Sequence, residues 1–140
     1  MAAQRKACAT FPAGRLKPNS MVLVDTAIWV SHLKEGNADL KALLEDGEEL
    51  CHPYVIGELA CGNLKNRTGI LSLLKALPMA KTAGHEEVMN FIEIHDLAGA
   101  GLGYVDMHLL ASALLSGSPL WTADRSLGAA AKKLGVAYKM

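Results

Sequence analysis

The chain reads as α/β, a mostly parallel sheet covered by helices in a three-layer α/β/α arrangement, and three observations predict this. Apolar runs too short for helices recur, rich in valine, leucine and tryptophan. Stretches with helical spacing of apolar residues alternate with them, as parallel crossovers require. Two of the runs, Met21–Val24 and Leu120–Trp121, lead directly into a threonine and an aspartate. In an open parallel sheet that carboxyl edge is where ligands bind.

Met21–Val24 has four apolar residues without alternation, which suits a strand buried on both faces. Ala27–Leu33 is a short helix behind it, so Asp25 stands where strand becomes helix, either as its cap or as a functional group. Asn37 can cap a helix over Ala38–Glu45 that puts Leu40, Leu43 and Leu44 on one face. Glu49–His52 is a brief strand, and Pro53 suits the first turn of a helix running through Tyr54–Gly62. Thr68 is expected to cap Gly69–Leu77, which Pro78 ends. Met79–Thr82 forms a small strand, and His85–His95 is helical by the spacing of Val88, Phe91, Ile92 and His95. Ala98–Gly103 is a glycine-rich loop whose spacing is wrong for a dinucleotide site. Tyr104–Ser116 is the clearest helix, with Asp106 in its first turn. After the strand at Leu120 come a helix over Arg125–Leu134, Gly135 just past its end, and a last strand Val136–Tyr138.

A chain of 140 residues makes one domain able to bury a core. Residues 1–20 hold Arg5, Lys6, Arg15 and Lys17, no acid, three helix breakers and no periodicity. They are expected to be a disordered N-terminal extension, with the folded domain over 21–140 and Met21 as its natural start. Deleting them is expected to leave folding and activity intact, as read by circular dichroism and an activity assay. Without them the chain has ten basic and fourteen acidic residues, net −4. A purely electrostatic nucleic-acid binder should be basic instead, so any such role needs positive charge from elsewhere, such as a bound metal. Three cysteines without a CxxC pair point to reduced thiols and a cytoplasmic protein. No apolar run approaches the roughly 20 residues of a membrane span, and the basic N-terminus lacks the apolar core of a signal peptide.

Four acids stand out: Asp25 and Asp124 after strands, Asp106 at a helix start and Glu58 within an apolar helix. Carboxylates that converge at one sheet edge repel one another at neutral pH. Hard divalent cations such as Mg²⁺ or Mn²⁺ relieve that repulsion, and they activate water for phosphodiester hydrolysis. Each acid also has an ordinary reading, as a cap, a turn residue or a solvated charge.

The segments VLVDTAIW, PYVIGELACGNLKNR, HEEVMNFIEIH with GLGYVDMHLLASALL, and LWTADRSLGAAAKKLGV resemble, in order and spacing, the PIN-domain ribonuclease toxins called VapC. The resemblance spans Met21 to Tyr138. It implies a PIN domain and a metal-dependent endoribonuclease, the toxin of a toxin–antitoxin pair. It further implies that Asp25, Glu58, Asp106 and Asp124 bind Mg²⁺ or Mn²⁺, and that Thr26 and Thr122 support the acids or water. The partners it implies are RNA and a cognate antitoxin protein; a homodimer is also expected, and no membrane.

Other signals rank lower. Cys51, His52 and Cys61 invite a zinc site but lack a fourth ligand at suitable spacing, so they are expected to be buried or half-buried side chains instead. Lys65, Arg67 and Arg125 can hold RNA phosphates or be plain solvated charges. Trp29 is either core or an anchor for a partner helix. A haloacid-dehalogenase-type phosphohydrolase needs a second aspartate two residues after Asp25, where Ala27 stands. The remaining alternative is a catalytically silent PIN-fold module that binds a protein partner or RNA, and metal dependence of cleavage separates the two.

Overall fold

Three short parallel strands set the frame: β1 (Val22–Val24), β2 (Glu49–Leu50) and β3 (Leu120–Trp121), in the order β2-β1-β3. They belong to a computed structural model that describes residues 21–139, so the extension expected over 1–20 lies outside the described residues. Leu23 of β1 pairs with Leu50 on one side and Leu120 on the other. Val22, Leu23 and Val24 are all buried, as consecutive apolar residues must be in a strand covered on both faces. The chain leaves β1 to one side for β2 and returns to its other side for β3. In open parallel sheets such a reversal of direction is where ligands bind, at the carboxyl ends of the flanking strands, here β1 and β3.

Seven helices complete the described residues: α1 (Thr26–Glu35), α2 (Ala38–Glu45), α3 (Pro53–Cys61), α4 (Arg67–Ala76), α5 (His85–Ile94), α6 (Tyr104–Ser116) and α7 (Arg125–Lys133). With the sheet they form the three-layer α/β/α arrangement. Asn37 caps α2 as expected, its side chain accepting from the N–H groups of Asp39 and Leu40 at 3.0 Å each. α6 is buried on every side from Met107 to Leu114, so it is apolar all round rather than striped. It packs against α5, α7 and β3 and forms the spine of the core. Trp29 is 3% exposed and belongs to that core, which decides between its two readings. No helix of the described residues is long and apolar enough to cross a membrane.

The observed elements depart from the sequence expectations at three places. α4 starts at Arg67, not Gly69, and Thr68 lies inside it rather than capping it. Asn66 adopts the left-handed conformation, φ 53°, which asparagine tolerates better than most residues. The chain thus turns into the helix two residues early. The strands expected at Met79–Thr82 and Val136–Tyr138 are reduced to single parallel bridges, Cys51 with Met79 and Leu120 with Ala137. Each still makes two ladder hydrogen bonds, for example from Ala80 N–H to the Cys51 carbonyl at 2.8 Å and from Leu120 N–H to the Val136 carbonyl at 2.7 Å. Pro78 has no N–H with which to extend the first ladder, and Gly135, at φ 75°, turns the chain immediately before the second.

Candidate active site

Asp25 lies at the carboxyl end of the central strand. Its N–H donates to the Trp121 carbonyl at 2.9 Å, so the β1–β3 ladder runs up to it. Its side chain then caps α1, with Oδ1 accepting from Thr26 N–H at 2.7 Å. The other oxygen, Oδ2, accepts from the Thr122 hydroxyl at 2.7 Å. The residue is only 8% exposed. Burial raises its pKa above the usual carboxylate range; the bonds from Thr122 and Thr26 oppose that shift, and the charges of Asp106 and Glu58 add to it.

Two threonines tie two of the other acids to this one. The Thr26 hydroxyl donates to Glu58 Oε1 at 2.6 Å, joining the start of α1 to α3. Thr122 Oγ1 accepts from Asp124 N–H at 3.0 Å while donating to Asp25. Asp124 caps α7, its Oδ1 accepting from Leu127 N–H at 3.0 Å. Asp106, in the first turn of α6, accepts from Gly103 N–H at 3.0 Å and reaches Asp25 through its charge alone. The capping roles and the clustering therefore hold together, and none of the four acids forms an ion pair with lysine or arginine among the described residues.

The donor set consists of carboxylate and hydroxyl oxygens, the ligands that hard divalent cations prefer. A buried carboxylate flanked by two like charges and no basic residue fits a cation. Among the described residues no three His, Cys, Asp or Glu side chains close around one point tightly enough to hold an ion by themselves. Zinc ligation by Cys51, His52 and Cys61 is not assembled either: Cys51 is buried, with its thiol pushed up to about 11, and Cys61 is exposed.

Thr122→Val is expected to lower stability by about 1–3 kcal/mol, because it leaves Asp25 Oδ2 and the Asp124 N–H without their partner. Denaturant unfolding measures this, and an unchanged midpoint would mean that the hydroxyl bridge is not formed in solution.

His52 is buried, as expected of a side chain that is not a zinc ligand, but its role as a helix cap is not among the sequence expectations. It is the cap of α3, with Nδ1 accepting from Tyr54 N–H at 3.0 Å. Its proton therefore sits on Nε2 and is donated to the Ser112 hydroxyl of α6 at 3.0 Å. Burial first, then His108, lowers its pKa to about 4. This bond links the helix carrying Glu58 to the helix carrying Asp106. The place just before Pro53 was the available signal, since a helix that opens on proline needs a cap there. Of the basic candidates, Lys65 is exposed, Arg67 donates to the Gly62 carbonyl at 3.3 Å, and Arg125 lines a cavity of about 360 Å³ with Asp96 and Lys133.

Residues 22–133 match the family described as PIN domain. The chain is 47% identical over 118 residues to Ribonuclease VapC32 of Mycobacterium tuberculosis, from strain CDC 1551 / Oshkosh and equally from strain ATCC 25618 / H37Rv. The match covers 84% of this chain and 95% of each relative.

Proposed function

Because the chain belongs to the VapC family of PIN-domain ribonucleases, we propose that it is the toxin of a toxin–antitoxin pair and hydrolyses RNA phosphodiesters at the carboxyl edge of its sheet. The observation that supports this site most strongly is the threonine-bridged array in which Asp25 is bonded through Thr122 and Glu58 through Thr26. Asp25, Glu58, Asp106 and Asp124 are the residues that would hold Mg²⁺ or Mn²⁺. Such an ion, when bound, supplies an activated water and offsets the charge that develops on the phosphate. The chain's own contribution is placement. Thr122 orients Asp25, Thr26 orients Glu58, and the α6 and α7 starts fix Asp106 and Asp124. One of the acids accepts the proton of the attacking water. An antitoxin that covers this acidic edge and a homodimer of the chain complete the reading.

The test is cleavage of RNA by purified protein freed of any partner, with Mg²⁺ or Mn²⁺ and then with excess EDTA. Cleavage only with the metal is expected; full activity in EDTA, with contaminating nuclease excluded, would falsify the metal-dependent reading. The looseness of the acid cluster favours one second reading, a silent PIN-fold module that binds a protein partner or RNA without cutting. That reading expects RNA to stay whole under every metal condition.

A further inference from the structure

We infer that Tyr54 and Tyr104 form a stacking platform for RNA bases beside the acidic edge, an inference that rests on the nuclease reading above. Tyr54 lies in the first turn of α3, one turn before Glu58, about 6 Å along the helix axis. Tyr104 opens α6, two residues before Asp106. The charges of both acids reach Asp25, so the second turn of α3, which carries Glu58, and the first turn of α6 lie near the same end of the sheet. Both tyrosines are substantially exposed, at 40% and 42%, in a chain with only seven aromatic residues.

The rings are fixed in place before any ligand arrives. Each lies 4.6 Å, centroid to centroid, from the ring of His108, which is 3% exposed and sits beneath both. His52 backs the group at 5.3 Å from Tyr54 and 6.4 Å from His108. The Tyr104 hydroxyl is 2.6 Å from His85 Nδ1, and the two rings are 5.6 Å apart. A surface aromatic already immobilised loses little freedom when a ligand lands on it. The other large apolar residues in the open, such as Leu73, Met89 and Ile94, carry no aromatic face.

The nearness of the rings to the acids proposed to act on RNA, rather than charge, favours an RNA base over an apolar protein helix as occupant. Residues from Met21 onward are net −4, so general attraction does not draw a phosphate backbone to this surface. Beyond what a bound metal supplies, affinity must come from uncharged contacts close to the acids, and stacking is worth about five- to a hundredfold in binding per base. The rim beyond Tyr104 carries His85 and Glu86, both exposed, rather than the leucines that an apolar helix would seek. Single-stranded RNA, with unstacked bases, is the form that such rings recognise.

The test compares the wild-type chain with Tyr54→Ala, Tyr104→Ala, Tyr54→Leu and the Phe variants at both positions. Two single-stranded RNA oligonucleotides serve as probes, one intact and one with abasic sites flanking the cleaved bond. The Ala variants are expected to raise KM for the intact RNA about five- to a hundredfold, with kcat changed less than about threefold. The Phe variants keep a ring and should stay within about twofold of wild type. Tyr54→Leu fills the same space over His108 without a π-face and should behave like Ala, which separates stacking from loss of fold. For abasic RNA the variants and the wild type should converge. Equal KM among all variants on intact RNA overturns the platform, as does a loss that persists undiminished on abasic RNA. Failure of the wild type itself to cleave with Mg²⁺ overturns the nuclease reading instead, and is seen before any variant is compared.

Discussion

Asp25→Asn is expected to slow RNA hydrolysis by about a hundred- to a thousandfold while leaving the metal-free protein at least as stable as the parent at neutral pH. The two effects have one cause. Asp25 is nearly buried, and its pKa is raised above the ordinary 3.8, chiefly by that burial. For an acid raised on folding, the stability contribution is complete below the unfolded value near 3.8 and is lost as pH climbs through the higher folded value. At pH 7 the carboxylate is therefore a liability to the fold and is retained for what it binds. Asparagine caps a helix about as well as aspartate, so the bond from Thr26 N–H survives the exchange. The Thr122 hydroxyl must turn, because it would then meet an amide, and this subtracts part of the gain. Mg²⁺ at a hundredfold excess over its dissociation constant should stabilise the parent by about 2.7 kcal/mol and the variant by much less. Melting curves of both proteins with and without Mg²⁺ decide the matter. An equal metal shift in the two, or a variant that melts several degrees lower without metal, would show that Asp25 is a cap and nothing more.

Acid should weaken the fold through His52 by an amount on the order of 3 kcal/mol as pH falls from 6.5 to 4. Burial lowers this imidazole from 6.5 to about 4. Between those values the unfolded chain binds a proton that the folded chain refuses, so stability declines as pH drops. The structural reason is at Nδ1, whose lone pair accepts the Tyr54 N–H and cannot also hold a proton. His108 and His95, both lowered chiefly by burial, act in the same direction, whereas Asp25 acts in the opposite one. The clean measurement is thus a difference. His52→Asn retains a capping oxygen without a group that titrates in this range, and its unfolding free energy should fall less than the parent's over the same interval. Parallel pH profiles for the two proteins would rule out His52 as the acid-sensitive joint between α3 and α6.

The acids were legible in the sequence because each sits beside a strong local signal: a short apolar run before Asp25 and Asp124, a loop-to-helix change before Asp106 and an apolar helix around Glu58. The central parallel strand was legible from the unbroken apolar run Met21–Val24. What escaped is set by contacts distant in sequence. The bond from His52 to Ser112 spans 60 residues, and no periodicity announces it. Glu49 reads as the polar start of a strand, yet it is 2% exposed with Oε2 unpartnered, a cost that no propensity records. Asn66 moved a helix start through one left-handed residue, where the sequence offered the more conventional cap at Thr68. The platform tyrosines lacked any pattern, because a ring becomes a platform only through the histidine that packs beneath it.

The span of the Thr122–Asp25 bond, 97 residues, sets a clock on when this protein can be dangerous. At translation rates of about 5–20 residues per second, roughly 5–20 s separate the synthesis of these two residues. Throughout that interval β1 has been made with one of its edges still awaiting β3, and Asp25 has no Thr122 hydroxyl to orient it. Chains ending before Leu120 should accordingly be inert toward RNA even though Asp25, Glu58 and Asp106 are all present. Activity should therefore depend on the strand that closes the sheet.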